Sequence, residues 1–257
     1  MPFIGKIIYG VFSSKSQVEE LQQHIRDVEW NAIRDTIPHG AQFLDVGCGA
    51  GYAMQRAIRE KNCSAVGIDP EPGTHGVGRF EQERIHIPLE IMEGASETLP
   101  FESASFDVVY SSHVLEHVSD EIQTLREMKR VLKPGGVLII GMPTATMALL
   151  NWLSQLIFTT HIKIYENFRF CYKPGRIKRL ISVFKINSHS FPRARSIYYD
   201  FKHYRVSNWK KTIETEFIIE STHLPLWYSY PDYPRLFKPK KRKYFSSSVF
   251  FICKKRI

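Results

Sequence analysis

Apolar residues recur along this chain in two rhythms. Val18, Leu21, Ile25, Val28, Ala32 and Ile33 fall at helical spacing and predict an amphipathic helix over 17–37. Ser16 followed by Glu19 reads as a capping box at its start, and Pro38-His39-Gly40 ends it. Short apolar runs then follow at 42–46, 64–69, 89–92, 107–111 and 137–140, each of a length that suits a buried strand. Residues 52–61 read as a helix between the first two. A second helix opens at Ser119-Asp120-Glu121, with acids in its first turn and Ile122, Leu125, Met128 and Leu132 as its stripe. Lys129, Arg130 and Lys133 suit its negative end, and Pro134-Gly135 stops it. Residues 70–78 are poor helix formers and predict a loop. Further on, Ser207 caps a helix carrying Trp209 and Ile213, and strands are expected at 217–220 and 248–254. Strands alternating with helices predict an α/β, doubly wound, Rossmann-like sheet of seven strands.

The uncharged stretch from Pro134 to Ile162 is long enough to raise a membrane span. Its first third is the fifth strand and Pro143 interrupts it, so the span is rejected. What remains, 144–160, reads as a helix whose polar stripe is Asn151, Ser154 and Gln155. Such a helix either caps the sheet or lies in a membrane interface.

Composition changes the picture at one point. The 257 residues are 43% hydrophobic and 24% charged, as in a soluble globular protein. Their net charge of +9 is unevenly spread. Residues 1–160 hold 13 Lys/Arg against 20 Asp/Glu, whereas residues 161–257 hold 22 against 6. A basic half suggests a polyanionic partner, an anionic membrane face or nucleic acid, the alternative being a solvated basic surface. The run from Lys238 to Lys243 beside Trp227, Tyr228 and Tyr230 points the same way. Four scattered cysteines form no Cys-x-x-Cys pair, which argues against a disulfide framework and a zinc site and for a cytoplasmic setting. No metal is expected.

The candidate chemistry centres on Leu44-Asp45-Val46-Gly47-Cys48-Gly49-Ala50-Gly51, an apolar strand running into three alternate glycines and then a helix. That context binds a nucleotide-like ligand, because glycines admit close approach and the helix start offers free N–H groups. The second strand ends in Asp69, 18 residues after Gly51, near the spacing of a carboxylate that takes a ribose diol.

At these residues the chain resembles the class I S-adenosylmethionine-dependent methyltransferases, most of all the small-molecule subfamily that includes the quinone methylases. Leu99-Pro100-Phe101, Ser105-Phe106-Asp107-Val108-Val109, Val114-Leu115-Glu116-His117-Val118 and Val131-Leu132-Lys133-Pro134-Gly135-Gly136 follow in the family's order, so the resemblance covers about 17–143. It implies a seven-stranded sheet with the last strand antiparallel and one methyltransferase domain. In that scheme 1–16 is an extension, 17–143 the cofactor core, 144–206 a cap with substrate specificity, and 207–257 the closing strands with a basic aromatic loop.

The resemblance also implies S-adenosylmethionine as cofactor and S-adenosylhomocysteine as product. The cofactor would be held by Asp45, Gly47, Gly49, Gly51, Asp69, Ser96, Glu97, Ser111 and His113. The family often has an acid where this chain has Ala95, so Ser96 and Glu97 are expected to serve the adenine instead. His113 is the first candidate for a general base or an acceptor-orienting group, and His117 the second. The expected acceptor is a small molecule, a lipid or a lipid-linked compound, met by a peripheral enzyme at an anionic membrane face. An RNA methyltransferase or RNA-binding protein using the basic half is the alternative, and a non-catalytic cofactor-binding scaffold the second. The sequence does not fix the oligomeric state.

Overall fold

The structure, a computed structural model, describes residues 15–74, 88–153, 197–228 and 245–256. Its centre is a seven-stranded sheet in the order β3-β2-β1-β4-β5-β7-β6. The strands are β1 Gln42–Val46, β2 Ser64–Asp69, β3 Glu90–Glu93, β4 Phe106–Ser112, β5 Leu132–Pro143, β6 Phe217–His223 and β7 Ser248–Lys255. β1 to β5 pair in parallel, while β7 runs antiparallel to both β5 and β6. The chain leaves β1 toward β2 and β3, then returns to lay β4 on the other side. The carboxyl ends of β1 and β4 therefore flank the point where strand order reverses, which is where such sheets bind ligands.

Alternation along the strands separates two cores. Leu44, Val46, Val109, Leu138 and Ile140 face α3 (Glu121–Val131) and α6 (Val206–Ile213), where Leu125, Met128, Trp209 and Ile213 are buried. Phe43, Val108, Tyr110, Ile139 and Phe250 face α1 (Lys15–Ile33) and α2 (Tyr52–Lys61) through Trp30, Ile33, Ala53 and Ala57. A 3-10 turn at Arg34–Thr36 closes α1. Side chains also join the two helices on the second face. Arg56 pairs with Asp27, and the Trp30 indole donates to Glu60 at 2.8 Å.

Local chemistry differs from the sequence expectation at four places. α1 begins at Lys15, so Ser16 lies inside the helix and not at its cap. α3 ends at Val131, before Pro134, because Leu132 takes extended dihedrals and pairs with Phe106, so β5 begins where the helix stops. Its N-cap is Asp120, which accepts from the Gln123 N–H at 2.9 Å. α6 follows α5 (Ile197–His203) closely and starts at Val206, so Ser207 is inside it. Finally, residues 145–153 are helical (α4), but Asn151 is turned inward at 5% exposure, with Met147, Ala148 and Leu150 also buried. The described turns of that segment are a core helix, with Leu149 as their exposed apolar residue. Residues 154–160 and the Lys238–Lys243 run lie outside the described residues. Among the described residues, no helix is long and apolar enough to cross a membrane.

Candidate cofactor and acceptor site

The glycine loop leaves β1 with Gly47, Gly49 and Gly51 all at positive φ, 73°, 53° and 81°. Two of these also sit in crowded space. A Cβ on Gly47 would stand 2.2 Å from a Val114 methyl, and one on Gly51 2.4 Å from Leu89 Cδ1. The loop is held to β2 by the Gly47 and Cys48 N–H groups, which both donate to the Ile68 carbonyl. Asp69 then ties two loops together. Its Oδ2 accepts from the Gly49 N–H at 2.8 Å and its Oδ1 from the Glu71 N–H at 2.8 Å. A carboxylate has about four acceptor sites, so both oxygens retain room for a diol. As expected, residues 70–74 form a turn and not a helix.

Asp45 lies one strand residue before the end of β1, level with Gly67 and Tyr110. It is 3% exposed, and among the described residues no donor reaches its carboxylate. Burial, followed by the neighbouring Asp69 charge, pushes its pKa up to about 8. A buried acid without a donor, beside a second acid, fits a cation.

Ser96 and Glu97 follow β3. The Glu97 carboxylate accepts from the Ser119 N–H at 3.0 Å and from its hydroxyl at 2.8 Å, while the Ser96 hydroxyl lies 3.3 Å from that of Thr124. Burial opposes ionisation of Glu97, but the Ser119 hydrogen bonds outweigh it and lower its pKa. The pair fixes this loop to the approach of α3.

Ser111 and His113 close β4. Ser111 pairs across to Val46 and Ile140; its hydroxyl is buried and has no hydrogen-bond partner. His113 turns out of the strand at φ 57°, its N–H donating to the Gly141 carbonyl. Its imidazole lies between two buried carboxylates, with Nδ1 3.4 Å from Glu116 Oε1 and Nε2 3.8 Å from Glu29 Oε1. His117 is 41% exposed and 3.9 Å from the same Glu116 oxygen. Glu29 comes from α1, where Arg26 pairs with its other oxygen at 2.5 Å and the Tyr228 hydroxyl donates to Oε1 at 3.2 Å. Burial opposes the charge on Glu29, yet Arg26 and His113 bring its pKa down to about 2.

The predicted residues thus gather along one edge of the sheet, and the structure adds Glu29, Arg26, Glu116 and Tyr228. Glu29 had a signal in the sequence. It stands four residues after Ile25 and four before Ile33, a carboxylate set within the apolar stripe of α1.

This order of strands, with a glycine loop and an acid-tipped second strand at its switch point, is a Rossmann-like α/β fold. Residues 44–140 match the model of the family described as methyltransferase domain. Over that stretch, which is less than half of the chain, the protein is similar to methyltransferases. It is 30% identical over 102 residues to a ubiquinone biosynthesis O-methyltransferase of Azorhizobium caulinodans, covering 40% of each protein. It is 33% identical over 123 residues to a tRNA U34 carboxymethyltransferase of Saccharophagus degradans, covering 44% of this chain and 36% of that protein. The chain spans about two fifths of the length of the curated relatives it matches. An S-adenosylmethionine-dependent methyltransferase structure from Mesorhizobium loti superposes with a TM-score of 0.54 at 19% identity, over 89% of this chain and 98% of that one, which is a likeness of fold.

Proposed function

We propose that the protein transfers a methyl group from S-adenosylmethionine to a small-molecule, lipid or lipid-linked acceptor. The observation that carries this is Asp45, a buried carboxylate to which no described residue donates, set at the glycine loop and raised toward neutrality by burial and Asp69. An ammonium group is the partner such an acid lacks. Bound cofactor supplies an electrophilic methyl on a sulfonium. The chain's part is to bind, orient and exclude water. In this reading the Gly47–Gly51 backbone lies against the cofactor's amino-acid portion, Asp69 takes the ribose hydroxyls, and Ser96 with Glu97 borders the adenine. Ser111 and His113 stand at the reactive end, with His117 behind them.

The acceptor class is supported by the Azorhizobium relative, whose name makes it an O-methyltransferase of ubiquinone biosynthesis. The tRNA relative and the basic second half support RNA as the competing acceptor. Attachment to an anionic membrane face is a second strand of the reading. Tyr198, 72% exposed, and Phe245, 63% exposed, accompany the excess of Lys and Arg in that half.

Three measurements test the proposal. Calorimetry should show S-adenosylmethionine binding that Asp45→Asn weakens; equal affinity in the two proteins removes the assignment. A tritiated-methyl assay on extract separated into lipid, RNA, protein and small-molecule fractions should label the lipid or small-molecule fraction, and label confined to RNA transfers the reading to the alternative. Flotation with anionic but not neutral vesicles tests the membrane clause.

A further inference from the structure

Ser246-Ser247-Ser248 lead into β7 as three consecutive buried serines. The fold uses two of them as clamps. The Ser246 hydroxyl accepts from the Leu226 N–H at 3.1 Å and donates to the Leu226 carbonyl at 2.8 Å. The Ser247 hydroxyl accepts from the Tyr228 N–H at 2.9 Å and donates to the Tyr228 carbonyl. These bonds pin 226–228 beside the start of β7, and the Tyr228 phenol then reaches Glu29 Oε1. Ser248 differs from its neighbours. Its hydroxyl is buried and has no hydrogen-bond partner among the described residues.

Along β7, Ser248 shares a face with Phe250, the face that α1 covers. There its hydroxyl faces the Glu29 carboxylate and the Tyr228 phenol without a hydrogen bond of normal geometry to either. His113 Nε2 is likewise buried, has no hydrogen-bond partner among the described residues, and lies 3.8 Å from Glu29 Oε1. That separation is too long for a direct bond, yet one oxygen can lie within hydrogen-bond distance of both atoms. Ser112 Oγ, on the same face of β4 as Tyr110, is another buried atom without such a partner. Gly141 pairs with Ser112 and leaves this floor bare, since a Cβ there would stand 2.8 Å from Ser112 Oγ and 2.5 Å from the Phe250 ring. Buried polar atoms that stop short of one another around one carboxylate are suited to a polar group held among them. We propose that this edge of the α1 face is a subsite for a neutral hydroxyl of the acceptor, held by Glu29, His113 and Ser248. It deepens the methyltransferase reading and rests on it for the identity of the ligand.

Glu29 sets the chemistry. Arg26 pairs with its Oε2 and holds the carboxylate ionised, so Oε1 can only accept. The Ser248 hydroxyl donates or accepts, and His113 Nε2 does one or the other according to its tautomer. A hydroxyl satisfies the set, because it donates to Glu29 and accepts from Ser248 or His113. An ether or ketone oxygen has no proton to give Glu29. An anion meets the Glu29 charge at short range, and an ammonium finds that charge already matched by Arg26. Selection of this kind is sharp, since a ligand without the hydroxyl leaves buried polar groups unpaired. α1 thereby takes part in choosing the acceptor as well as covering the sheet. The Tyr228 hydroxyl and Arg26 act one step further out, by fixing the Glu29 oxygens.

The test uses phenol as the hydroxyl probe and anisole, its methyl ether, as the matched control, each titrated into the free protein. Binding is read from the NMR signals of the His113 imidazole, identified by their loss in His113→Asn. Phenol should shift them to saturation and bind about tenfold more tightly than anisole. Ser248→Ala should lower phenol affinity about fivefold, the net worth of one hydrogen bond, and leave anisole unchanged. Glu29→Gln, which keeps the shape of the side chain, should lower it further, because a charge-assisted acceptor is lost. A merely structural role for these residues would weaken both probes alike and leave their ratio as it was. Equal affinity for the two probes, His113 signals that phenol does not move, or a ratio unchanged in the variants overturns the proposal. If Glu29→Gln does not fold, Ser248→Ala decides the ratio alone. S-adenosylmethionine binding, measured separately by calorimetry, distinguishes the two failures. Cofactor binding without a preference for phenol removes the subsite and keeps the methyltransferase reading. A preference for phenol without cofactor binding keeps the hydroxyl site and overturns its assignment to a methyl acceptor.

Discussion

The two ends of the site are built by different means. The end proposed for the cofactor comes from one continuous stretch, β1, the glycine loop and β2, and is tied together by backbone N–H groups, Gly49 N–H to the Asp69 carboxylate and Gly47 N–H to the Ile68 carbonyl. The end proposed for the acceptor is made of side chains gathered from across the chain; Tyr228 and Glu29, which share a hydrogen bond, are 199 residues apart. At the first end one carboxylate, Asp45, has no described donor; at the second, carboxylates are matched by Arg26, Tyr228 and the imidazole of His113. The contrast is between a buried acid that no described residue donates to and buried acids that are matched within the fold.

The largest expected effect comes from the backbone end. Gly47→Ala places a Cβ 2.2 Å from Val114 at a φ of 73°. Overpacking costs about 1–3 kcal/mol and left-handed backbone roughly 1–2 kcal/mol more. Denaturant unfolding should show a loss of about 2–5 kcal/mol on these two terms. Adding Val114→Ala should recover the overpacking part and leave the backbone part. No recovery would mean that φ alone makes this glycine necessary.

Asp69→Ala comes next. It removes a carboxylate that holds the Gly49 and Glu71 N–H groups and, in the proposed function, the ribose diol. Charge-assisted hydrogen bonds suggest that cofactor affinity falls by about 1–3 kcal/mol. Calorimetry finding unchanged affinity would detach Asp69 from the cofactor.

These outcomes bear on how much the sequence revealed. The glycine loop and its tie to β2 were legible because their determinants are local: three alternate glycines, an apolar strand and an acid at a set spacing. Strand order followed from alternation together with family resemblance. The acceptor end was half legible. The place of His113 at the end of β4 could be read from the sequence, but the residues around its ring could not, because Glu29, Glu116 and Tyr228 meet only after the sheet and α1 have packed. The errors at Ser16 and Ser207 have a similar origin. A Ser before a periodic run is a good cap only if the helix starts there, and the packing of α1 and the close succession of α5 and α6 set other starts. Asn151 belongs to the polar stripe expected of the 144–160 helix and is buried, since polarity alone does not say which way a stripe faces.

Acid–base behaviour should sharpen the comparison. Asp45 has a folded pKa of about 8, above its unfolded value, so the free protein loses stability as pH rises from about 4 to 8. Glu29, at about 2 when folded, contributes stability that is present above about 4.5 and is lost as pH falls toward 2. His113, raised, contributes fully below about 6.5 and loses its contribution as pH climbs through its folded value. Thermal melts of the free protein should therefore decline from pH 6 to 8. Saturating cofactor should offset the Asp45 part, with binding that strengthens over the same range and releases a proton. Asp45→Asn should abolish that pH dependence of binding. A flat binding profile in the wild type would mean that Asp45 is ionised before the cofactor arrives.

The smallest effect is expected where the two ends meet. Ser111 sits on β4 between Val46 of β1 and Ile140 of β5, 1% exposed, with a hydroxyl that has no hydrogen-bond partner among the described residues. An unsatisfied buried hydroxyl costs roughly 1–3 kcal/mol, and β4 supplies no reason to keep it. Ser111→Ala removes that cost with the loss of one small atom group. Stability should therefore rise by about 1 kcal/mol or stay level. If the hydroxyl is reserved for a ligand, function should move the other way. Cofactor affinity, by calorimetry, should fall by a few fold, about the net worth of a single hydrogen bond. An unchanged affinity would place Ser111 with the acceptor end, and its partner would then be sought on the acceptor. A clear loss of stability would reject both roles, since it would show that the hydroxyl is satisfied within the fold.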